Sequence, residues 1–278
     1  MGIFDKAILI SDIDGTLLYD GVVPEINLKA IEFFKNEGGL FTVATGRGAV
    51  AAEETYKLLK CNAPAAVFQG GAVYDYNLKE FIYKDVLSYE DKMVAQKILN
   101  KFHNIGMQVH SKDYIYVIRE NDGVWHHINY ESLPNKIVNI EEIFDIEWHK
   151  VVFFCDNDDL FVKAKEYYNS LNYDSSLFLH TMSYKCKSGI TSHAFEYYPS
   201  VINKGNAVRF LAEKINRIPF TIGDFYNDVD LIKASKFGAA TLEAPQEIKN
   251  LAKHITCSVK DGAVADYIGY IKTILRGS

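Results

Sequence analysis

The sequence predicts an α/β protein in which a doubly wound parallel sheet is interrupted by an inserted α+β domain. Three observations carry this reading. Apolar runs such as Ala7-Ile8-Leu9-Ile10 are short and unbroken, as in parallel strands covered on both faces. These runs alternate with amphipathic stretches in the order β-α-β-α-β over the first third, and the rhythm returns from Lys204. Between roughly Tyr83 and Pro199 the chain is richer in Tyr, His and Trp, and its strands alternate in polarity. The expected division is a core of residues 1–82 and 199–278 with an insertion of residues 83–198.

The first strand runs into Ser11-Asp12-Ile13-Asp14-Gly15-Thr16. After the Asp20-Gly21 turn and Pro24, the spacing of Ile26, Ala30, Ile31, Phe33 and Phe34 predicts a helix, which Gly38-Gly39 closes. A strand at Leu40 to Ala44, a helix from about Ala49 to Lys60 and a third strand at Ala65 to Phe68 follow. In the insertion, Ser88-Tyr89-Glu90-Asp91 is a capping signal for a helix to about His103. Strands near Met107 to His110, Tyr114 to Arg119 and Val151 to Cys155 are expected next, then a helix at Asp159 to Ser170 and two strands to Tyr198. The closing segment reads as a helix to Asn216, a strand at Phe220 to Gly223, a helix, a short strand at Gly238 to Ala240, and helices from Pro245 and Gly262.

With 278 residues, 48% of them hydrophobic and 24% charged, the chain can bury a full core, which excludes disordered and collagen-like classes. Its formal net charge of −6 excludes broad electrostatic attraction to nucleic acid or anionic membrane. Any phosphate-bearing ligand then needs a local positive site. Cys61, Cys155, Cys186 and Cys257 form no C-x-x-C pair, so neither zinc ligation nor a disulfide framework is signalled. The N-terminus lacks a signal-peptide pattern and no apolar run approaches the roughly 18 residues of a membrane span, so a cytoplasmic protein is expected.

In an open parallel sheet, ligands gather beyond the carboxyl ends of the strands. There the chain places Asp12 and Asp14, then Thr45-Gly46-Arg47, and later Asp224 with Asn227 and Asp228; Lys204-Gly205 opens a helix. Two residues apart on extended chain, Asp12 and Asp14 point to one side, so one can attack while the other handles protons. Asp12, Asp14, Asp224 and Asp228 would total −4 against the +1 of Lys204, and a phosphate dianion would be repelled. A divalent cation resolves the conflict. The candidate ligands are all oxygens, which favours Mg²⁺ over zinc or copper.

At these residues the sequence resembles the haloacid dehalogenase superfamily of phosphohydrolases, in the Cof-like branch of sugar-phosphate phosphatases. The four family motifs stand in order as Asp12-Ile13-Asp14-Gly15-Thr16-Leu17-Leu18, Ala44-Thr45-Gly46-Arg47, Asn203-Lys204-Gly205 and Gly223-Asp224-Phe225-Tyr226-Asn227-Asp228. The resemblance implies that Asp12 is the nucleophile of an aspartyl-phosphate and that Asp14 is the acid/base. Thr45 and Lys204 would hold phosphoryl oxygens, while Asp12, the Asp14 carbonyl and Asp224 would hold Mg²⁺, with Asn227 and Asp228 orienting that shell. It also implies a core of that superfamily's fold, a cap made by the insertion, and a small phosphorylated metabolite as substrate. Two positions depart from the branch: Gly70 replaces an active-site amide unless Gln69 substitutes, and Glu243 replaces an Asn near the fourth motif.

Several features have blander readings. Gly46-Arg47-Gly48-Ala49-Val50-Ala51 matches a dinucleotide-binding pattern, but the next strand ends at Gln69 rather than at an acid. Arg47 either steadies a phosphate or caps a loop. His126, His127 and Tyr114 read as packed residues of the insertion, and Cys186, between Lys185 and Lys187, as a bystander whose pKa those lysines could lower. Two alternatives stay open: a phosphomutase on the same core, and a non-catalytic Mg²⁺-dependent phospho-acceptor module.

Overall fold

The computed structural model describes residues 2–131, 133–171, 177–199 and 202–277. By internal contacts the chain divides into two units, Met1–Arg47 with Ala52–Lys84 and Asn203–Ser278, and Gly48–Ala51 with Asp85–Ile202.

In the first unit, β1 (Ala7–Ser11) is buried at every position, as a strand packed on both faces requires. Helix α1 (Glu25–Asn36) follows Pro24, and Lys35 in its last turn donates to the carbonyls of Leu59 (2.6 Å) and Lys60 (2.8 Å). Then come β2 (Leu40–Val43), α2 (Ala49–Leu58), β3 (Ala65–Val67), β4 (Ala72–Asp75) and β5 (Glu80–Lys84). The third strand departs from the parallel-sheet expectation. One parallel bridge, Ala44 to Ala66, links its segment to the end of β2, and β3 otherwise begins an antiparallel β3-β4-β5 sheet.

The second unit carries α3 (Tyr89–Lys101), β6 (Gly106–His110), β7 (Ile115–Arg119), α4 (Asp122–Glu131), β8 (Asn135–Ile137), β9 (Lys150–Cys155), α5 (Asp158–Ser170), β10 (Leu177–Lys185) and β11 (Thr191–Pro199). The Ser88 hydroxyl and the Asp91 carboxylate close the expected capping box on α3. The strands form one sheet in the order β10-β11-β9-β6-β7-β8. Val109, Val151, Phe153 and Phe195 face α3 and α5, while Val117, Val152, Phe154 and Ala194 face α4 on the other side. The sequence reading missed α4 and β8. Only Val124 and Ile128 anchor α4 in the buried cluster, with Trp125 partly buried beside them, too few positions to register as a helical repeat, and β8 is exposed throughout.

The chain returns to the first unit with α6 (Lys204–Ile215), β12 (Ile218–Gly223), α7 (Val229–Lys233), β13 (Ala239–Ala240), α8 (Gln246–Lys249), β14 (His254–Ile255) and α9 (Ala263–Gly277). Its parallel sheet has the order β14-β13-β12-β1-β2, so β1 lies between β12 and β2. Ile8 and Ile10 pack against Ala207, Val208 and Leu211 of α6, and alternation turns Ala7 and Leu9 the other way. Ser11 stands opposite both Ile222 and Val43, which brings the carboxyl ends of β12, β1 and β2 level. This is the expected α/β class with a parallel core sheet. Among the described residues, no helix is long and apolar enough to cross a membrane.

Candidate active site

The level strand ends deliver the functional side chains. Asp12 follows β1, and its N–H donates to the Ile222 carbonyl (3.0 Å), extending the ladder by one residue. Asp224 follows β12, and Asp228 ends a single 3-10 turn beyond it. Asp12, Asp224 and Asp228 each offer a carboxylate oxygen within 4.8 Å of the others.

Lys204 enters from α6, whose first turn is capped by the Asn203 side chain accepting from Asn206 N–H (2.8 Å). Its ammonium lies 2.5 Å from Asp12 Oδ1 and 2.7 Å from Asp228 Oδ1, and its side chain is 1% exposed. Asp228 is a structural knot. Its Oδ1 takes the ammonium, and its Oδ2 accepts from the backbone N–H groups of Asp224 (3.0 Å) and Phe225 (3.3 Å). That geometry fixes the loop that carries Asp224. On the other side, the Thr16 hydroxyl donates to Asp224 Oδ1 (3.0 Å). Gly15 makes this approach possible: its φ is +81°, and a Cβ there would lie 2.4 Å from Asp224 Oδ2.

Three carboxylates against one ammonium leave two uncompensated negative charges in a mostly buried space. The protonation behaviour shows the strain. Burial, followed by repulsion from Asp228, pushes Asp12 well above the carboxylate range against the opposing pull of Lys204. Burial and Asp228 likewise raise Asp224 to about 6. Burial alone would lower Lys204, but Asp12 and Asp228 more than reverse it and hold the ammonium charged. A hard divalent cation fits this donor set, because it meets clustered oxygens and removes the charge deficit. Asp12 and Asp224 have the oxygens to hold it, whereas both oxygens of Asp228 are engaged within the protein.

The remaining predicted residues divide. Thr45 is buried, and its hydroxyl accepts from the Arg47 N–H (3.1 Å). Gly46 lies against Gln69, whose Nε2 would sit 2.5 Å from a Cβ at that position. Asn227 Nδ2 donates to Gln69 Oε1 (3.4 Å), so Gln69 joins the second-motif loop to the fourth-motif loop. Phe68 and Gln69 both hold positive φ, 53° and 57°. Glu243 turns away from the cluster, accepting from the Ser258 hydroxyl and the Val259 N–H, and these bonds hold its pKa down against burial.

The structure corrects two expectations, on Asp14 and on Cys186. The Asp14 carboxylate does not join the acidic cluster. It is 55% exposed and is clasped by Arg47, with Nε 3.0 Å from Oδ2 and Nη2 2.6 Å from Oδ1. Lys204, expected to hold phosphoryl oxygens, has its ammonium on the carboxylates of Asp12 and Asp228, beside the expected nucleophile. Cys186 has its pKa raised, not lowered, by burial and by Asp156 and Asp122. Thr16 was missed as a functional residue although it stands inside the first motif; nothing local marks a hydroxyl whose partner lies 208 positions away.

Comparison with known proteins places this geometry. M6_Spy0533 of Streptococcus pyogenes serotype M6 is 27% identical over 92% of this chain and 95% of its own. The 5-amino-6-(5-phospho-D-ribitylamino)uracil phosphatase YcsE of Bacillus subtilis is 26% identical over 93% of each. A crystal structure of a haloacid dehalogenase-like hydrolase from Bacteroides thetaiotaomicron shares the fold at a TM-score of 0.80 and 20% identity, covering 95% of this chain and 99% of that one. The family model described as haloacid dehalogenase-like hydrolase matches residues 9–268, a span that includes every residue of the acidic cluster and its lysine. The chain with these carboxylates at its strand ends belongs to the haloacid dehalogenase-like hydrolases.

Proposed function

We propose that this hydrolase is a Mg²⁺-dependent phosphatase of small phosphorylated metabolites, sugar phosphates first among them, acting through an aspartyl-phosphate on Asp12. The observation that carries the reading is the pairing of a buried Asp12 with Lys204 beside a second carboxylate, Asp224, within reach of the same cation. Lys204 occupies one oxygen of Asp12 and leaves the other to attack phosphorus. As the Asp12 oxygen–phosphorus bond forms, the ester bond breaks, and its oxygen takes a proton from Asp14. Asp14 then accepts a proton from water, whose oxygen displaces Asp12 from phosphorus. A divalent cation bound by Asp12 and Asp224 would supply the positive charge that lets a phosphate dianion approach carboxylates. Thr45, Gly46 and Arg47 stand at the end of β2, where they would line the phosphoryl group, and Asn227 and Asp228 would orient the metal-holding loop.

Residues 83–198 would serve as the cap that selects the leaving group. A polyol phosphate is supported by the relative YcsE, whose named substrate carries its phosphate on a ribityl chain. The test is turnover of para-nitrophenyl phosphate with Mg²⁺. Asp12→Asn should lower kcat on the order of 10³-fold or more. Unchanged turnover in that variant, or none by the natural protein on any phosphoester, would reject the reading.

A further inference from the structure

Arg47 and Asp14 are held together by a two-pronged ion pair at the edge of the site, and this pairing conflicts with the work assigned to Asp14. Both carboxylate oxygens accept N–H groups from the guanidinium, Oδ2 from Nε at 3.0 Å and Oδ1 from Nη2 at 2.6 Å. An oxygen that accepts from a fixed cationic donor cannot also present a proton to a leaving group. The clasped carboxylate is therefore not a competent acid. The reading of Asp14 as acid/base, on which this inference rests, requires the clasp to open during turnover.

The two cations of the site are anchored differently. The Arg47 backbone is fixed at both ends: its N–H donates to Thr45 Oγ1 (3.1 Å), and its carbonyl accepts from Phe68 N–H (2.9 Å). Its side chain is 21% exposed and that of Asp14 is 55% exposed, so the pair borders water, from which a competing anion can reach the guanidinium. Lys204, by contrast, is 1% exposed and held by two carboxylates. The planar fork that meets a carboxylate meets a phosphate in the same two-pronged way, and a phosphate dianion carries twice the charge of a carboxylate.

We propose that Arg47 is a phosphate-responsive latch on Asp14. Its guanidinium clasps Asp14 when no phosphoryl group is present and transfers to the phosphoryl oxygens of an arriving ester, which releases Asp14 for proton transfer. Acid chemistry is thus coupled to occupancy of the phosphate position, and an empty site keeps its acid masked.

The test compares the natural protein with Arg47→Met and Arg47→Lys, using orthophosphate as competitive inhibitor and two saturating substrates. Para-nitrophenyl phosphate has a leaving group that needs no acid; glycerol phosphate has one that does. Arg47→Met should weaken orthophosphate inhibition about tenfold or more and lower kcat for both substrates by a common factor; Arg47→Lys should fall between. An unchanged inhibition constant would overturn the proposal. So would a burst of para-nitrophenol followed by slow turnover, the pattern expected of Asp14→Asn, because Arg47 would then only prop Asp14 in place. Loss of the phosphatase reading itself registers separately, as turnover that survives Asp12→Asn.

Discussion

Replacing Lys204 by Met tests the electrostatic frame of the site most directly. The side chain is nearly isosteric, so packing is kept while the ammonium between Asp12 and Asp228 is lost. The two carboxylates are 7% and 0% exposed, and neither can recover its lost partner from solvent. Removing one partner from a buried pair costs about 3–5 kcal/mol, because a desolvated charge is left uncompensated. Asp12 is already pushed upward by burial and Asp228, so it would take up a proton and keep the loss within that range. Urea denaturation at pH 7 in EDTA should show this loss, and Mg²⁺ should restore part of it. Adding Asp228→Asn should relieve the single variant, since both charges then disappear together. A loss under about 1 kcal/mol, or a double variant as unstable as the summed singles, would refute the view that the ammonium holds these carboxylates together.

The other predictions address neighbouring links. Gly15→Ala should lower activity roughly 10²-fold or more, since the new methyl meets Asp224 Oδ2 at 2.4 Å and the φ of +81° opposes a side chain; wild-type kcat would show that Asp224 has room to move. In EDTA, Asp224, raised from 3.8 to about 6, contributes stability that is complete below pH 3.8 and is lost as pH rises through 6. Screened by partial exposure, this amounts to about 1–2 kcal/mol, measured as the difference in urea midpoint from Asp224→Asn; a pH-independent difference would contradict it. Asp14→Asn should accept phosphate from para-nitrophenyl phosphate in a burst and release it slowly, and rapid-quench kinetics without a burst would remove Asp14 from water activation.

The convergence of Asp12, Lys204, Asp224 and Asp228 was legible because strand ends and helix starts are local signals. An apolar run that stops at Asp12 or Asp224 places that residue at a sheet edge before any tertiary contact is known. The fate of the individual side chains was not legible in the same way. Asp12 and Asp14 sit two residues apart, yet one is buried against Lys204 and the other leaves the cluster for Arg47. The alternation rule assumes extended chain, and the turn through Gly15 ends that regularity. Gln69 was flagged as a substitute amide, but its bridge from Asn227 to the second-motif loop depends on a positive φ that sequence does not announce for a non-glycine residue. The edge strand β3 was misread for a related reason: its buried residues are consistent with a parallel or an antiparallel partner.

The place of β1 in the sheet has a consequence for synthesis. One of its two partners, β2, follows closely, whereas the other, β12, is translated only after the whole second unit has emerged. Until then a five-residue apolar strand has an open row of backbone donors and acceptors on one edge, able to recruit any similar strand nearby. The nascent chain is therefore most exposed to aggregation while its second unit is being made, and chaperone demand should be concentrated in that interval.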